Sequence, residues 1–343
     1  MEISVSFEKK ARFHQNKRNN NKGVVFVIRF DHVSKAYEDG TKAVDSLHLE
    51  IKKGEFFVLI GPSGCGKTTT MKMINRLIET TEGSISIDGK DIQDYNIHEL
   101  RWDIGYVLQQ IALFPHMTIA ENIAIVPEMR KWGKERVRER VDELLDMVGL
   151  DPDVYRNRMP DELSGGQKQR VGVVRALAAN PKIVLMDEPF SALDPLSREQ
   201  LQKDIVKLQK KIQKTIVFVT HDMQEALTLG DRICVMKKGK IVQLDTPEGI
   251  IHNPANDFVE EFIGNRVRPW YEGKSIEDVL PLEMDRQVEN NVLPLSIHAS
   301  LQDALIRLEA EDFVPIERDG KYAGTLTSRH IVNYIARQMK ERE

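Results

Sequence analysis

The sequence predicts an α/β fold with a largely parallel core sheet, followed by a smaller α+β unit. Three observations predict it. Short apolar runs, FFVLI (Phe56 to Ile60), IVLM (Ile183 to Met186) and TIVFVT (Thr215 to Thr220), read as strands buried on both faces. Amphipathic stretches such as TTTMKMINRLIE and REQLQKDIVKLQKKIQ fall between these runs, so strand and helix alternate. A Gly-rich turn, GPSGCGKTT (Gly61 to Thr69), sits directly between one buried strand and the helix after it.

Residues 1–23 are basic and have no apolar stretch of the signal-peptide kind, so they are expected to form a disordered tail. Regular structure is expected from Val24. VVFVIRF and AVDSLHLEI read as strands joined by the turn YEDG (Tyr37 to Gly40). EFFVLI is a buried strand and TTTMKMINRLIE a helix. SISIDGKDI is a strand and turn, and IGYVLQQ a strand running into a loop. From Thr118 to about Met159 the pattern turns helical and charged, as in KERVRERVDELLDMVGL. Then come a helix (GQKQRVGVVRALAA), a buried strand (KIVLMDEP), an amphipathic helix and a last buried strand (TIVFVTHD). This domain is expected to span 24–264, with a helical subdomain at about 110–165. Residues 265–290 read as a linker. Residues 291–343 read as strand, helix, β-hairpin and helix, with Asp319-Gly320 in the hairpin turn.

Composition narrows the function classes. Lysine and arginine number 49 against 53 acidic residues, a net charge of −4, which argues against nucleic acid as a partner. The two cysteines, Cys65 and Cys234, are too few for a disulfide framework and fit a reducing cytosol. No apolar run reaches the length of a membrane span.

The Gly-rich turn matches G-x-x-x-x-G-K-[ST], a phosphate-binding loop. Gly61, Gly64 and Gly66 allow the backbone to curl, with Pro62, Ser63, Cys65 and Thr69 completing it, so that N–H groups face an anion. The next helix points its positive N-terminus at the same place. Lys67 is placed to reach the β- and γ-phosphates, and Thr68 to offer its hydroxyl to Mg²⁺. The same helix terminus is expected to lower the pKa of the Cys65 thiol. IVLMDEP delivers Asp187 and Glu188 to the carboxyl end of a strand, where ligands bind in α/β sheets. Asp187 suits Mg²⁺, and Glu188 suits polarising a water. His221 lies at another strand end, in reach of the γ-phosphate. A second grip, LSGGQ, sets Ser164, Gly165, Gly166 and Gln167 at a helix start about a hundred residues later. The two grips serve either one nucleotide or two.

These motifs, in this order, resemble the nucleotide-binding subunits of ATP-binding cassette (ABC) transporters from about Phe30 to Gly264. The resemblance implies a P-loop NTPase fold of ABC type, with a mixed, mainly parallel sheet and a helical subdomain, and ATP and Mg²⁺ as cofactors. It implies that Tyr37 stacks on adenine and that Gln109 senses Mg²⁺ and the membrane partner. It also implies that SALD, which ends at Asp194, lines the nucleotide interface. It implies a homodimer in which Ser164, Gly165 and Gly166 close on the ATP held by the other copy. GYVLQQIALFPHMTIAENI, DRICVMKKGKIVQLDTPEGI and NPANDFVEEFIG resemble the subfamily that imports quaternary amines. That implies a peripheral subunit on the cytoplasmic face, with a membrane permease and a solute-binding protein as partners. The alternatives are an importer of an amino acid or another small solute and an ABC ATPase that does not drive transport. Residues 291–337 resemble a single cystathionine-β-synthase (CBS) domain, in which His330 stands where the family has an aspartate and Thr327 is kept. This unit is expected to pair with its twin or to sense ionic strength.

Overall fold

The computed structural model describes residues 26–110, 112–191, 193–264, 274–279 and 293–340. The expected N-terminal tail and most of the expected linker lie outside the described residues. The chain divides into two compact units, residues 1–262 and 263–343.

The first unit opens with β1 (Phe26–Ala36) and β2 (Lys42–Lys52), an antiparallel pair joined through the Tyr37 turn. Then come β3 (Phe56–Ile60), α1 (Lys67–Ile74), β4 (Glu82–Ile87), β5 (Lys90–Asp91), α2 (Ile97–Trp102) and β6 (Ile104–Val107). The helical segment holds α3 (Ile119–Met129), α4 (Lys134–Met147) and the short α5 (Pro152–Tyr155). The chain returns through α6 (Gly165–Leu177), β7 (Ile183–Asp187), α7 (Pro195–Ile212), β8 (Thr215–Thr220) and α8 (Met223–Leu229). It ends in β9 (Arg232–Lys237), β10 (Lys240–Asp245), α9 (Pro247–His252) and α10 (Asp257–Ile263).

Two sheets result. One is antiparallel, in the order β2-β1-β4-β5. The other runs β10-β9-β3-β8-β7-β6 and is parallel from β9 to β6, with β10 added antiparallel at one edge. β3, β7 and β8 are buried at every position, which is why they read as unbroken apolar runs. One core joins Phe30 and Leu49 of the antiparallel sheet, Met71 and Ile74 of α1, and Phe57, Leu185 and Val217 of the parallel sheet. Each such fully buried side chain contributes about 1.5–3 kcal/mol. Parallel pairing sets the carboxyl ends of β3, β7 and β8 side by side, so the segments that follow them meet.

The second unit contains α11 (Ile276–Val279), β11 (Leu295–Ser296), α12 (Leu301–Ala310), β12 (Phe313–Arg318), β13 (Lys321–Thr327) and α13 (Ser328–Lys340). β11 pairs parallel to β12, and β12 antiparallel to β13. Asp319 and Gly320, at φ 52° and 74°, make the hairpin turn. Leu301, Val314, Ile316, Leu326 and Ile331 form the unit's core together with Ile276 and Val279 of α11.

Candidate functional site

The segment after β3 curls back on itself. Gly61, Gly64 and Gly66 all have positive φ, at 155°, 75° and 103°. Gly61 and Gly66 are also closely packed, since an added Cβ would lie 2.2 Å from the Met236 carbonyl oxygen and 2.3 Å from that of Ala43. Pro62, Ser63 and Gly64 are exposed at the rim, and Thr69 is half-buried on the first turn of α1. Asn96, Thr118, Ser164, Asp194, Asp222 and Thr246 each cap the helix that follows with a side-chain oxygen. α1 has no such cap, so its first-turn N–H groups are left for an anion.

Lys67 is 5% exposed, and its Nζ donates to the carbonyls of Gly61 (2.7 Å) and Pro62 (3.0 Å). Cys65 is buried beside it. Burial pushes the Cys65 thiol up, and the neighbouring Lys67 charge offsets only part of this. This corrects the expectation that the helix terminus would activate the thiol, because desolvation outweighs the Lys67 charge and the local hydrogen bonds here.

The Thr68 hydroxyl donates to Asp187 Oδ1 at 2.9 Å. The Tyr106 hydroxyl, on the neighbouring β6, donates to Oδ2 at 3.4 Å. Burial raises the Asp187 pKa, with the Thr68 hydrogen bond acting against it. A hydroxyl and a carboxylate this close form the start of a hard-oxygen set that suits Mg²⁺. Glu188 follows in the left-handed region, at φ 43°, with its N–H bonded to the Val219 carbonyl and its own carbonyl to the Ser191 hydroxyl. Two predicted residues converge on its carboxylate. Gln109 Nε2 donates to Oε2 at 3.3 Å, and His221 Nδ1 lies 3.2 Å from the same oxygen.

Ser164 caps α6 in a closed reciprocal arrangement. Its hydroxyl accepts from the Gln167 N–H at 3.4 Å, and Gln167 Oε1 accepts from the Ser164 N–H at 2.9 Å. Ser164 and Gly165 are exposed, and no atom lies within 4 Å of where a Gly165 Cβ would stand. Gly166 is tighter, with the Ser197 hydroxyl 3.1 Å away. Asp194 is exposed and caps α7 by accepting from the Ser197 N–H at 3.0 Å, and the Ser197 side chain together with this N–H holds its pKa down. Tyr37 is 43% exposed on its turn. Among the described residues, no hydrogen bond or ion pair links residues 164–167 to residues 61–69.

Three further residues matter that motif reading does not find. Tyr106 reaches Asp187 only because β6 and β7 are neighbours. Asn122, fully buried, accepts from the Phe114 N–H and donates to the carbonyls of Phe114, Met117 and Thr118, which fixes the loop after Gln109. Glu225, buried in the first turn of α8, accepts from the Thr220 hydroxyl at 2.6 Å, and its pKa is pushed up to about 7 by burial. In the second unit, His330 Nδ1 accepts from the Thr327 N–H at 3.2 Å and lies 2.9 Å from its hydroxyl, so Thr327 is engaged within the chain.

Comparison with known proteins fits this geometry. A family model described as ABC transporter matches residues 44–191. The glycine betaine/carnitine/choline transport ATP-binding protein OpuCA of Bacillus subtilis is 60% identical over 238 residues, covering 69% of this chain and 62% of that protein. The glycine betaine/proline betaine transport system ATP-binding protein ProV of Escherichia coli is 42% identical over 304 residues, covering 86% of this chain and 73% of that protein. A solved dimeric, post-hydrolysis ATP-binding cassette bound to ADP and Pi superposes with a TM-score of 0.57 at 38% identity, covering 64% of this chain and 98% of that chain. The chain spans about three-fifths of the length of the Bacillus and Listeria relatives it matches. No helix among the described residues is long and apolar enough to cross a membrane.

Proposed function

This chain belongs to the ABC transporter family of ATP-binding proteins, and on that premise we propose that it is the ATP-hydrolysing subunit of an importer for a quaternary amine osmoprotectant. The observation that carries the hydrolytic reading is the convergence of Gln109 and His221 on one carboxylate, Glu188, beside the Thr68–Asp187 pair. The solute class rests on relatives whose names specify glycine betaine, carnitine or choline transport.

MgATP supplies the phosphoryl group and the compensating divalent charge. The chain's residues do the rest. The loop amides and the uncapped terminus of α1 receive the phosphate oxygens, and Lys67 exchanges its two carbonyl acceptors for them. Thr68 and Asp187, with Gln109, hold Mg²⁺, and Tyr106 keeps Asp187 oriented. Glu188 accepts a proton from the attacking water, while His221 holds the carboxylate from the solvent side and contacts the γ-phosphate. Tyr37 offers an exposed ring to adenine. Ser164, Gly165 and Gly166 of a second copy close the site, with Gln167 holding the Ser164 end of the helix and Asp194 at the facing interface. The exposed Leu108, Phe114 and Met117, on the loop that Asn122 fixes, are the surface for a membrane permease, with a solute-binding protein completing the system. The subunit then sits peripherally at the cytoplasmic face.

The test is uptake of labelled glycine betaine and choline at low and high external salt, in cells whose sole copy of this subunit is the wild type or Glu188→Gln. Uptake is expected to rise with salt and to fall about 10²–10⁴-fold in the variant. Uptake of both solutes that is indifferent to Glu188 would sink the proposal.

A further inference from the structure

The antiparallel sheet carries a cluster that nucleotide chemistry does not use. β1 is interrupted between Phe30 and Val33, where its register against β2 shifts. Phe30 and Val33 are both fully buried, whereas Asp31 and His32 between them are both exposed. In a regular strand adjacent residues point to opposite faces. Here His32 takes a left-handed conformation, φ 49°, and the bulge turns two consecutive side chains to the same side. β2 has a matching irregularity. Asp45 and Ser46 lie between the buried Val44 and Leu47, and Ser46 has φ 48°. His48, between the buried Leu47 and Leu49, projects from β2 toward the pair on β1.

The ligand-type atoms of the three side chains converge. His48 Nδ1 lies 3.7 Å and His32 Nε2 3.9 Å from Asp31 Oδ1, and all three atoms fall within 4.8 Å of one another. Metal–ligand bonds of about 2.0–2.1 Å at tetrahedral angles need separations of about 3.3 Å, so the three exposed side chains must rotate inward to close on an ion. The far nitrogen of His32 is already engaged, with Nδ1 3.2 Å from the Ser46 hydroxyl. A proton on Nδ1 donated to Ser46 leaves the Nε2 lone pair facing the cluster, the arrangement that orients metal-binding imidazoles. The bulge is held from both sides. The Ser46 N–H donates to Ser34 at 3.0 Å, and Gly83 of β4 packs so closely that an added Cβ would lie 2.4 Å from the His32 carbonyl.

We propose that Asp31, His32 and His48 form a surface site for a borderline divalent transition-metal ion of the Zn²⁺ class, completed by water. Two imidazoles and one carboxylate select this class over Mg²⁺ or Ca²⁺, which favour oxygen ligands. The site is separate from the Thr68–Asp187 pair and independent of ATP hydrolysis. The test uses the full chain, free of nucleotide and Mg²⁺, in equilibrium dialysis against Zn²⁺, with the visible absorption of Co²⁺ as a second readout. Wild type is expected to retain Zn²⁺ and to give the Co²⁺ band. His48→Ala and Asp31→Asn are expected to weaken retention at least about tenfold and to lose the band, with circular dichroism unchanged. Equal retention by wild type and both variants, or none by the wild type, overturns the site.

Discussion

The two phosphate grips are built on opposite principles. In the loop after β3, Gly61 and Gly66 are demanded by the chain itself, since a side chain at either would run into backbone at 2.2–2.3 Å. Lys67 is buried and already bonded. At the start of α6, Gly165 has open space where a side chain would go, and Ser164 faces solvent. The first grip is required for this chain's own packing. The second has no internal reason for its smallness at Gly165, which points to a reason that arrives from outside the chain. That contrast supports the proposal that the second grip serves the nucleotide held by a second copy.

The sharpest way to break the comparison is to disable each grip separately. Lys67→Ala is expected to weaken ATP binding by the isolated chain about 10²–10³-fold, because a charge-assisted donor to the phosphates is gone. Ser164→Arg is expected to leave that binding unchanged while cutting turnover about a hundredfold. Titration of a fluorescent ATP analogue, followed by phosphate release, separates the two. Lost binding in the serine variant would return both grips to one nucleotide.

A second contrast reads stability. Gly66→Ala is expected to destabilise the fold by about 2–5 kcal/mol, combining positive-φ strain with overpacking. Gly165→Ala, at an exposed first helical position, is expected to shift stability by no more than about 0.5 kcal/mol. Urea denaturation measures both, and equal losses would erase the distinction.

A third contrast is pH. The Thr68–His221 side contains the buried Glu225, whose pKa is raised to about 7, and residues 163–167 contain no titratable group. A raised carboxyl pKa favours the folded state when protonated. The stabilisation is full below the ordinary value of 4.5 and is lost as pH rises through about 7. Glu225→Gln is expected to keep the Thr220 contact and flatten this slope, which amounts to at most about 3 kcal/mol. Denaturation midpoints at about pH 5 and about pH 8, which bracket that raised value, give the slope. A slope that persists in the variant assigns it elsewhere.

What was legible in the sequence divides along similar lines. The loop after β3, the carboxylates ending β7 and the helix start at Ser164 were readable because each is a local spacing on one element. The buried strands were readable because parallel strands are apolar on both faces. Tyr106 and Asn122 were not, since their partners come from sheet order and from a loop folded back onto a helix. The β9–β10 hairpin escaped reading because its turn is carried by Lys238 and Gly239, at φ 48° and 77°, inside a lysine-rich stretch that reads as surface. The bulge at His32 was invisible for the same reason, because it takes a partner strand to define one. Cys65 was read with the wrong sign, since a motif reports the helix terminus and not the depth of burial.

The Lys67 ammonium is held by two carbonyls of its own loop, those of Gly61 and Pro62. The loop therefore carries its own competitive inhibitor. A ligand gains the ammonium only by displacing two good acceptors, so the chain sets a threshold rather than offering a bare charge. Phosphate oxygens are expected to clear that threshold because they carry full charge, and a nucleoside is expected to leave the lysine where it is. On the proposed ATPase reading, the selectivity of the loop is thus set by its own carbonyls, which rank a ligand by the charge on its oxygens.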